Sequence, residues 1–298
     1  MYTFEQIRDI FGNEVTEYLV NKNRGGNSGA KGNTYENFFA VYQLALLSQF
    51  VIESNKEIQL SSQTLAFVDD FIIDCQDKTP LQHYQLKNSQ KETWGQGLRS
   101  ISDDFKKQYD LNQSILRESQ ISLVVSSLNL KTNLELSIPP TIKEYSQVIH
   151  FHYDAELVKL IAKEPKFRQA IEYLCAFDNP PPDKIECVAT VLLGAWASSP
   201  KSQISVMEIL KKAQESTPSF IRSFSQELQL DSEINEILCK IPDFKYNLTK
   251  GFLHWEFKDG LEEGTLFYSL ETDRFRQFQK LVKKNNPTCF EELEGLLI

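Results

Sequence analysis

The sequence predicts an α/β domain over residues 1–150, followed by a mainly α domain over residues 151–298. Two observations lead to this prediction. Helical and extended patterns alternate in the first half, whereas the second half is helical until an aromatic-rich hairpin near its end. A chain of 298 residues with 41% hydrophobic content can also bury two ordinary cores. We therefore expect two domains.

The first domain is predicted to run helix, three strands, helix, strand. Residues 34–51, TYENFFAVYQLALLSQFV, are apolar nearly all round, which is typical of a helix buried against a sheet. Turn-like residues separate the next segments, which we interpret as strands: EIQLSS (57–62), TLAFVDDFIID (64–74) and HYQLKNS (83–89). The amphipathic segment 97–113 then precedes the apolar strand 120–127.

The second domain is predicted from helical periodicity broken by proline-rich turns. Segment 204–228 can form a helix, a turn and a second helix, either for DNA recognition or as part of a helical domain that holds a partner or builds a dimer. Segment 251–270 indicates a β-hairpin. Segment 274–286 indicates an amphipathic basic helix with a solvated face. Helices followed by a hairpin are the outline of a winged-helix module.

Charge and cysteine content limit the classes of function. The 32 basic and 41 acidic residues give a net charge of -9, so any DNA contact must come from a local arrangement rather than from composition. Five scattered cysteines without a Cys-x-x-Cys pair argue against a disulfide framework or a structural zinc site. No run of about 18 uncharged apolar residues and no leader pattern occurs, so we expect a cytoplasmic protein without a membrane span.

A glycine-rich basic segment, NKNRGGNSGAKGNT, spans residues 21–34. It lacks the Gly-Lys-Ser/Thr ending of a nucleotide-binding loop, so we interpret it as a flexible linker. Lys22, Arg24 and Lys31 in this segment, together with Lys91, are candidates for contacts with the DNA backbone.

Charged residues inside two predicted strands need an explanation, because Asp and Lys are rarely buried without a partner or a metal ion. Gln85 and Lys87 lie two residues apart and share one strand face. Either Asp69 or Asp70 of the preceding strand can face them, and we favour Asp70. Carboxylate and amide oxygens suit Mg²⁺, and Lys87 beside the ion could orient a water or neutralise charge on a phosphate.

The order of these residues resembles the PD-(D/E)xK nuclease superfamily. More narrowly, GNTYENFF, FVDDFIID and HYQLK over about residues 30–130 are similar to the double-stranded DNA endonuclease domain of bacterial anti-phage systems, including cyclic-nucleotide-triggered and Lamassu-type effectors. The resemblance implies a restriction-endonuclease-like mixed sheet flanked by helices. It also implies that Glu36 and Asp70 bind Mg²⁺ or Mn²⁺, that Gln85 replaces the usual acidic ligand, and that Lys87 is the catalytic lysine.

Each residue also has a structural interpretation. Glu36 could close a capping box with Asn33, and Lys87 could be a charge on an edge strand. His150 and His152 alternate along a predicted strand with no Cys or carboxylate at metal-site spacing, so we expect them to be structural.

We therefore predict a Mg²⁺-dependent endonuclease that cuts double-stranded DNA as the effector of an anti-phage complex. Its partners would be an ATPase or sensor subunit or further copies of the chain. The alternative is a non-catalytic adaptor whose nuclease-like site has decayed and whose winged-helix domain binds DNA or an ATPase.

Overall fold

The fold was analysed in a computed structural model that describes residues 2–25, 30–76, 79–216, 220–225 and 229–297, without the side chains of residues 24, 25 and 30–32. The chain divides into two compact units. Unit 1 comprises residues 1–170 and 192–210, and unit 2 comprises residues 171–191 and 211–298. Residues 151–170 and 192–210, which the sequence analysis assigned to the second domain, thus belong to unit 1.

The helices are numbered in chain order. They are α1 (Phe4–Gly25), α2 (Ala30–Ser54), α3 (Ile101–Ser114), α4 (Leu128–Leu136), α5 (Leu157–Lys163), α6 (Pro165–Leu174), α7 (Pro182–Ala197), α8 (Val206–Gln214), α9 (Ser232–Cys239), α10 (Asp273–Asn285) and α11 (Phe290–Glu294). The predicted core helix, the amphipathic helix and the C-terminal basic helix correspond to α2, α3 and α10.

The strands form two sheets. They are β1 (Gln59–Ser61), β2 (Phe71–Asp74), β3 (Leu81–Lys87), β4 (Ser119–Val125), β5 (Ser146–His150), β6 (Ile204–Ser205), β7 (Phe244–Thr249), β8 (Phe252–Phe257) and β9 (Glu262–Thr265). Unit 1 holds a six-stranded sheet of order β5-β4-β3-β2-β1-β6. β3, β4 and β5 run parallel, and the remaining pairs are antiparallel, so the expected mixed sheet flanked by helices is confirmed.

Side-chain alternation explains how both faces of the unit 1 sheet are covered. On one face, Ile121, Leu123 and Val125 of β4 pack in an apolar cluster with Phe105 of α3 and Leu130 of α4. On the other face, the rings of Phe39 of α2, Tyr84 of β3 and Phe71 of β2 pack within 5.2–6.1 Å of one another. Helix α2 is apolar nearly all round because it packs against other helices as well as the sheet: the Tyr42 ring lies 5.6 Å from that of Phe167 of α6.

Unit 2 is built on the antiparallel sheet β7-β8-β9. Its core joins one face of this sheet to α9, α10 and α11 through residues such as Leu253, Phe257, Phe275 and Phe290. The predicted hairpin at 251–270 is present as β8 and β9. Unit 2 therefore contains both helices and a three-stranded sheet.

Three sequence predictions are wrong in detail. Residues 64–70 form a bent loop rather than the first part of a strand, so Asp69 and Asp70 precede β2. The second helix expected within 204–228 is absent over residues 220–225, where Ile221 instead forms a bridge with Cys175. Helices α1 and α2 also extend into the predicted linker 21–34, of which residues 26–29 lie outside the described part.

The membrane and cysteine predictions can be compared with the same structure. Among the described residues, the search for a helix with the length and apolarity needed to cross a bilayer found none. All five cysteines are free thiols.

Candidate active site

The candidate site lies at the start of β2, beside the last residues of β3. The first residue of β2, Phe71, pairs with Tyr84, but β3 continues to Lys87. Residues 85–87 therefore pair with β4 on one side only. Asp70, immediately before β2, lies in a gap in the sheet, which arises because β2 does not extend alongside residues 85–87.

Asp70 occupies the position of the missing strand pairing. Its Oδ2 accepts a hydrogen bond of 2.7 Å from the backbone N–H of Leu86 and another from the side-chain amide of Gln85. Burial raises the pKa of Asp70, while the Leu86 N–H and the Lys87 charge act in the opposite direction. The carboxylate and Gln85 are thus brought together, as the sequence predicted.

Glu36 of α2 belongs to the same cluster. Its Oε2 accepts a hydrogen bond of 3.3 Å from the side-chain amide of Gln63. Burial, and then the Asp70 carboxylate, raise the pKa of Glu36 to about 7, against the effects of Gln63 and Lys87. Since α2 begins at Ala30, Glu36 lies beyond the first turn and does not form a capping box.

Lys87 ends β3 and is only partly buried. β3 is an inner strand of the sheet, but at Lys87 it pairs with β4 alone, so Lys87 lies beside a local gap in the sheet rather than on an edge strand. Its charge lowers the pKa of both Asp70 and Glu36, which indicates that the three groups are neighbours. Within the described part of the chain, the Lys87 ammonium has no hydrogen-bond or ion-pair partner, so it remains available to a ligand.

Asp69 is buried near Lys22, whereas it is Asp70 that accepts the hydrogen bond from the Gln85 amide. Burial first, and then the Asp70 charge, raise the pKa of Asp69 to about 8, while Lys22 lowers it. Lys22 of α1 donates hydrogen bonds to the Asp104 carboxylate at 2.7 Å and to the Phe67 carbonyl at 2.6 Å. Three acidic groups, Asp69, Asp70 and Asp104, are therefore balanced in part by this lysine.

The loop that carries Asp69 and Asp70 is fixed by buried side chains. Gln108 of α3 accepts hydrogen bonds from the backbone N–H groups of Phe67 at 2.8 Å and Val68 at 3.2 Å. The Nδ1 atom of His83 lies 2.8 Å from the Val68 carbonyl oxygen. Both Gln108 and His83 are fully buried. This clamp replaces the strand hydrogen bonds that the loop lacks.

The residues expected to contact DNA have different surroundings. The prediction that Lys22 lies in a mobile loop is wrong, because it belongs to α1 and its ammonium bonds Asp104 and the Phe67 carbonyl. The side chains of Arg24 and Lys31 lie outside the described residues. Lys91 is exposed in the segment that follows β3. Among the candidates whose side chains the structure describes, Lys87 and Lys91 thus lie near the end of β3.

The sequence analysis missed Gln108 of the clamp and the ion pair between Lys22 and Asp104. Asp104, Gln108 and Lys22 lie on helices, and nothing in helical spacing connects them to a loop far away in the chain. One signal was present: α3 buries Asp104, Gln108 and Asn112, which recur every four residues on one face. A polar stripe on the buried side of an amphipathic helix indicates buried polar partners.

The donor chemistry of the site fits a hard divalent cation. Mg²⁺ is commonly held by one or two carboxylates together with a substrate phosphate. Glu36 and Asp70 supply two mutually repelling carboxylates, and Gln85 supplies an amide. No group of three or more His, Cys, Asp or Glu side chains in the described portion is arranged to hold a metal ion. Glu36 and Asp70 alone would leave most coordination positions of such an ion to water and substrate.

No protein-family model, curated protein or solved structure matches this chain. The chemistry of the site is therefore inferred from its side chains.

Proposed function

We propose that this protein is a metal-dependent endonuclease of double-stranded DNA, with a restriction-endonuclease-like unit 1 related to the PD-(D/E)xK nucleases. The observation that carries the proposal is the gap beside β3, in which Asp70 bonds Gln85 while Glu36 and Lys87 influence its charge. Two carboxylates, an amide and an unpaired ammonium in one cluster suit phosphodiester hydrolysis.

Each side chain has a distinct role in this proposal. Glu36, Asp70 and Gln85 would hold Mg²⁺ or Mn²⁺, and the bound ion would supply electrostatic stabilisation of the phosphate. The hydrogen bond from Leu86 N–H fixes the Asp70 carboxylate in orientation. Lys87 donates hydrogen bonds to a phosphate oxygen or to the attacking water, and its charge stabilises the negative charge that develops during hydrolysis.

The test is cleavage of plasmid DNA by the full chain with and without Mg²⁺ or Mn²⁺. Asp70→Asn and Lys87→Ala are expected to abolish metal-dependent cleavage. Asp74→Asn and Lys106→Ala are matched controls, because Asp74 pairs with Arg117 and Lys106 is exposed on α3. Cleavage that survives both site substitutions would reject the assignment.

Asp69→Asn decides which aspartate belongs to the site. Asp69 lies toward Lys22 and Asp104, whereas Asp70 accepts the bonds from β3. We therefore expect Asp69→Asn to retain more activity than Asp70→Asn. The reverse order would exchange the roles of the two residues.

A non-catalytic adaptor is the second candidate. It is favoured by the Gln85 amide, which already occupies Asp70 and brings no negative charge to an ion. In that case the β7-β8-β9 sheet and helices of unit 2 would form a winged-helix module for DNA or an ATPase partner. Absence of cleavage under every metal condition, also with partner proteins present, would favour the adaptor.

Activation by a partner is part of the proposal. An uncontrolled DNA endonuclease would damage its own cell, and the sequence shows no nucleotide-binding loop with a Gly-Lys-Ser/Thr ending. We therefore expect an ATPase or sensor subunit of an anti-phage complex, or self-assembly, to switch on cleavage in the cytoplasm.

A further inference from the structure

The parallel strands of unit 1 carry a second set of polar side chains to the same edge of the sheet as Lys87. Lys87 pairs with Val125 of β4, and Val125 pairs with His150 of β5. Paired residues on neighbouring strands project to the same face. Lys87 and His150 therefore lie in one row across three strands, separated by about 10 Å, which is two strand spacings.

The orientation of the two histidines is fixed by the residue between them. The buried ring of Phe151 lies 5.2 Å from Phe39 and 5.1 Å from Tyr42, both on α2. Its backbone N–H continues the pairing with β4 by bonding the Val125 carbonyl at 3.1 Å. Because side chains alternate along β5, His150 projects away from α2, to the face shared by Lys87, and the His152 ring lies next to it.

The two imidazoles are available to a ligand. Their ring centroids lie 6.1 Å apart, and both residues are only partly buried. Neither ring has a hydrogen-bond or ion-pair partner among the residues that the structure describes. A histidine packed for structure alone is usually buried with its ring nitrogens bonded, as His83 is in this chain. His150 and His152 do not follow that pattern.

We propose that His150 and His152 bind phosphates of the DNA strand that Lys87 contacts, and so extend the site beyond the scissile phosphate. This inference rests on the proposed nuclease function. A DNA strand carries one phosphate per about 3.4 Å of helix axis, so a row of about 10 Å spans two or three phosphates. Imidazole has at least one N–H donor in either protonation state, so it can bind a phosphate oxygen without a change in charge.

This contact explains how an acidic chain could hold DNA at this edge. The net charge is -9, and the carboxyl groups of Glu36 and Asp70 lie near the Lys87 end of the row. Directional hydrogen bonds from imidazole need no basic surface. The row would therefore position the strand while Lys87 acts at the bond that is cut.

The experiment measures binding of a fluorescein-labelled DNA duplex to the full chain by fluorescence polarisation, without divalent metal. His150→Ala and His152→Ala are each expected to weaken binding about five- to tenfold, and His150→Asn, which keeps an N–H donor, to lose less. Gln147→Ala is the matched control, since Gln147 lies on β5 and bonds Ser122 on the opposite face. It should bind DNA like the wild type.

The outcomes for the inference and for the nuclease function are separate. Wild-type affinity in both alanine variants, or no binding of the duplex by the wild type, overturns the histidine contact. Weakened binding in the variants together with an absence of cleavage by the wild type supports the contact and rejects the nuclease. Circular dichroism of His150→Asn and His150→Ala verifies that both variants are folded.

Discussion

Replacing Glu36 with Gln is expected to stabilise the metal-free protein at about pH 8 and to change its stability little at about pH 4.5. The pKa of Glu36 rises from 4.5 to about 7 on folding, mainly through burial. Between these values the folded protein holds a proton that the unfolded chain has released. The free energy of unfolding therefore falls as the pH rises through this window, and glutamine removes that loss.

The size of the effect follows from the shift. A change from 4.5 to about 7 corresponds to about 3 kcal/mol at roughly 1.4 kcal/mol per pKa unit. Glu36 is only partly buried, so solvent screens part of this energy. We expect Glu36→Gln to raise the free energy of unfolding by about 1–2 kcal/mol at about pH 8.

The assay is urea unfolding of wild type and variant at the two pH values, without divalent metal. Glu53→Gln is the control, because Glu53 is exposed near the end of the same helix, where it accepts a hydrogen bond of 3.0 Å from the Gln49 amide. It should follow the wild-type pH dependence. A stability gain in Glu36→Gln that is equal at both pH values would refute a titrating Glu36.

Three further predictions concern the framework. Gln108→Leu leaves two loop N–H groups unpaired, so it should lower the free energy of unfolding, measured by urea unfolding, by about 2–4 kcal/mol. The control Gln113→Leu, on the exposed side of α3, should lower it by about 0.5 kcal/mol or less. Lys22→Met should cost about 2–4 kcal/mol in the same assay, because it leaves a buried carboxylate without its cation; an unchanged midpoint would contradict this role. Gly264→Ala should lower the thermal unfolding temperature, since its Cβ would lie 2.6 Å from the Trp255 ring, whereas Gly295→Ala meets no atom within 4 Å and should not.

Local patterns predicted the elements of unit 1 well because burial and periodicity coincide there. Helix α2 and strands β1, β3 and β4 were all expected from apolar runs within a few residues of their bounds. The predicted order helix, three strands, helix, strand corresponds to α2 through β4, whereas helices α1 and α4 were not predicted. Pairing between strands could not be read directly, since it depends on contacts between distant segments.

The loop before β2 shows why a pattern can mislead. Ala66, Phe67 and Val68 are as buried as strand residues, so the sequence TLAFVDDFIID indicates one long strand. Their backbone groups are instead bonded by Gln108 and His83. Burial is visible in a sequence, whereas a side chain that satisfies a distant backbone is not. Asp70 was thus assigned to the site because it was expected on one face of a strand, whereas it lies in the loop before β2.

The geometry of the site explains why an amide rather than a carboxylate suits position 85. A carboxylate at residue 85 would meet Asp70 at hydrogen-bond distance, beside Glu36, whose pKa is already raised in part by the Asp70 charge. Like charges so close disfavour one another's ionised form. An amide donates to Asp70 instead, so the cluster can fold without an ion. The same amide leaves a divalent cation with one negative charge fewer to attract it. If the protein is the proposed nuclease, we expect weak metal binding in the free chain and stronger binding once DNA phosphates or a partner complete the site, which links the substitution at residue 85 to controlled activation.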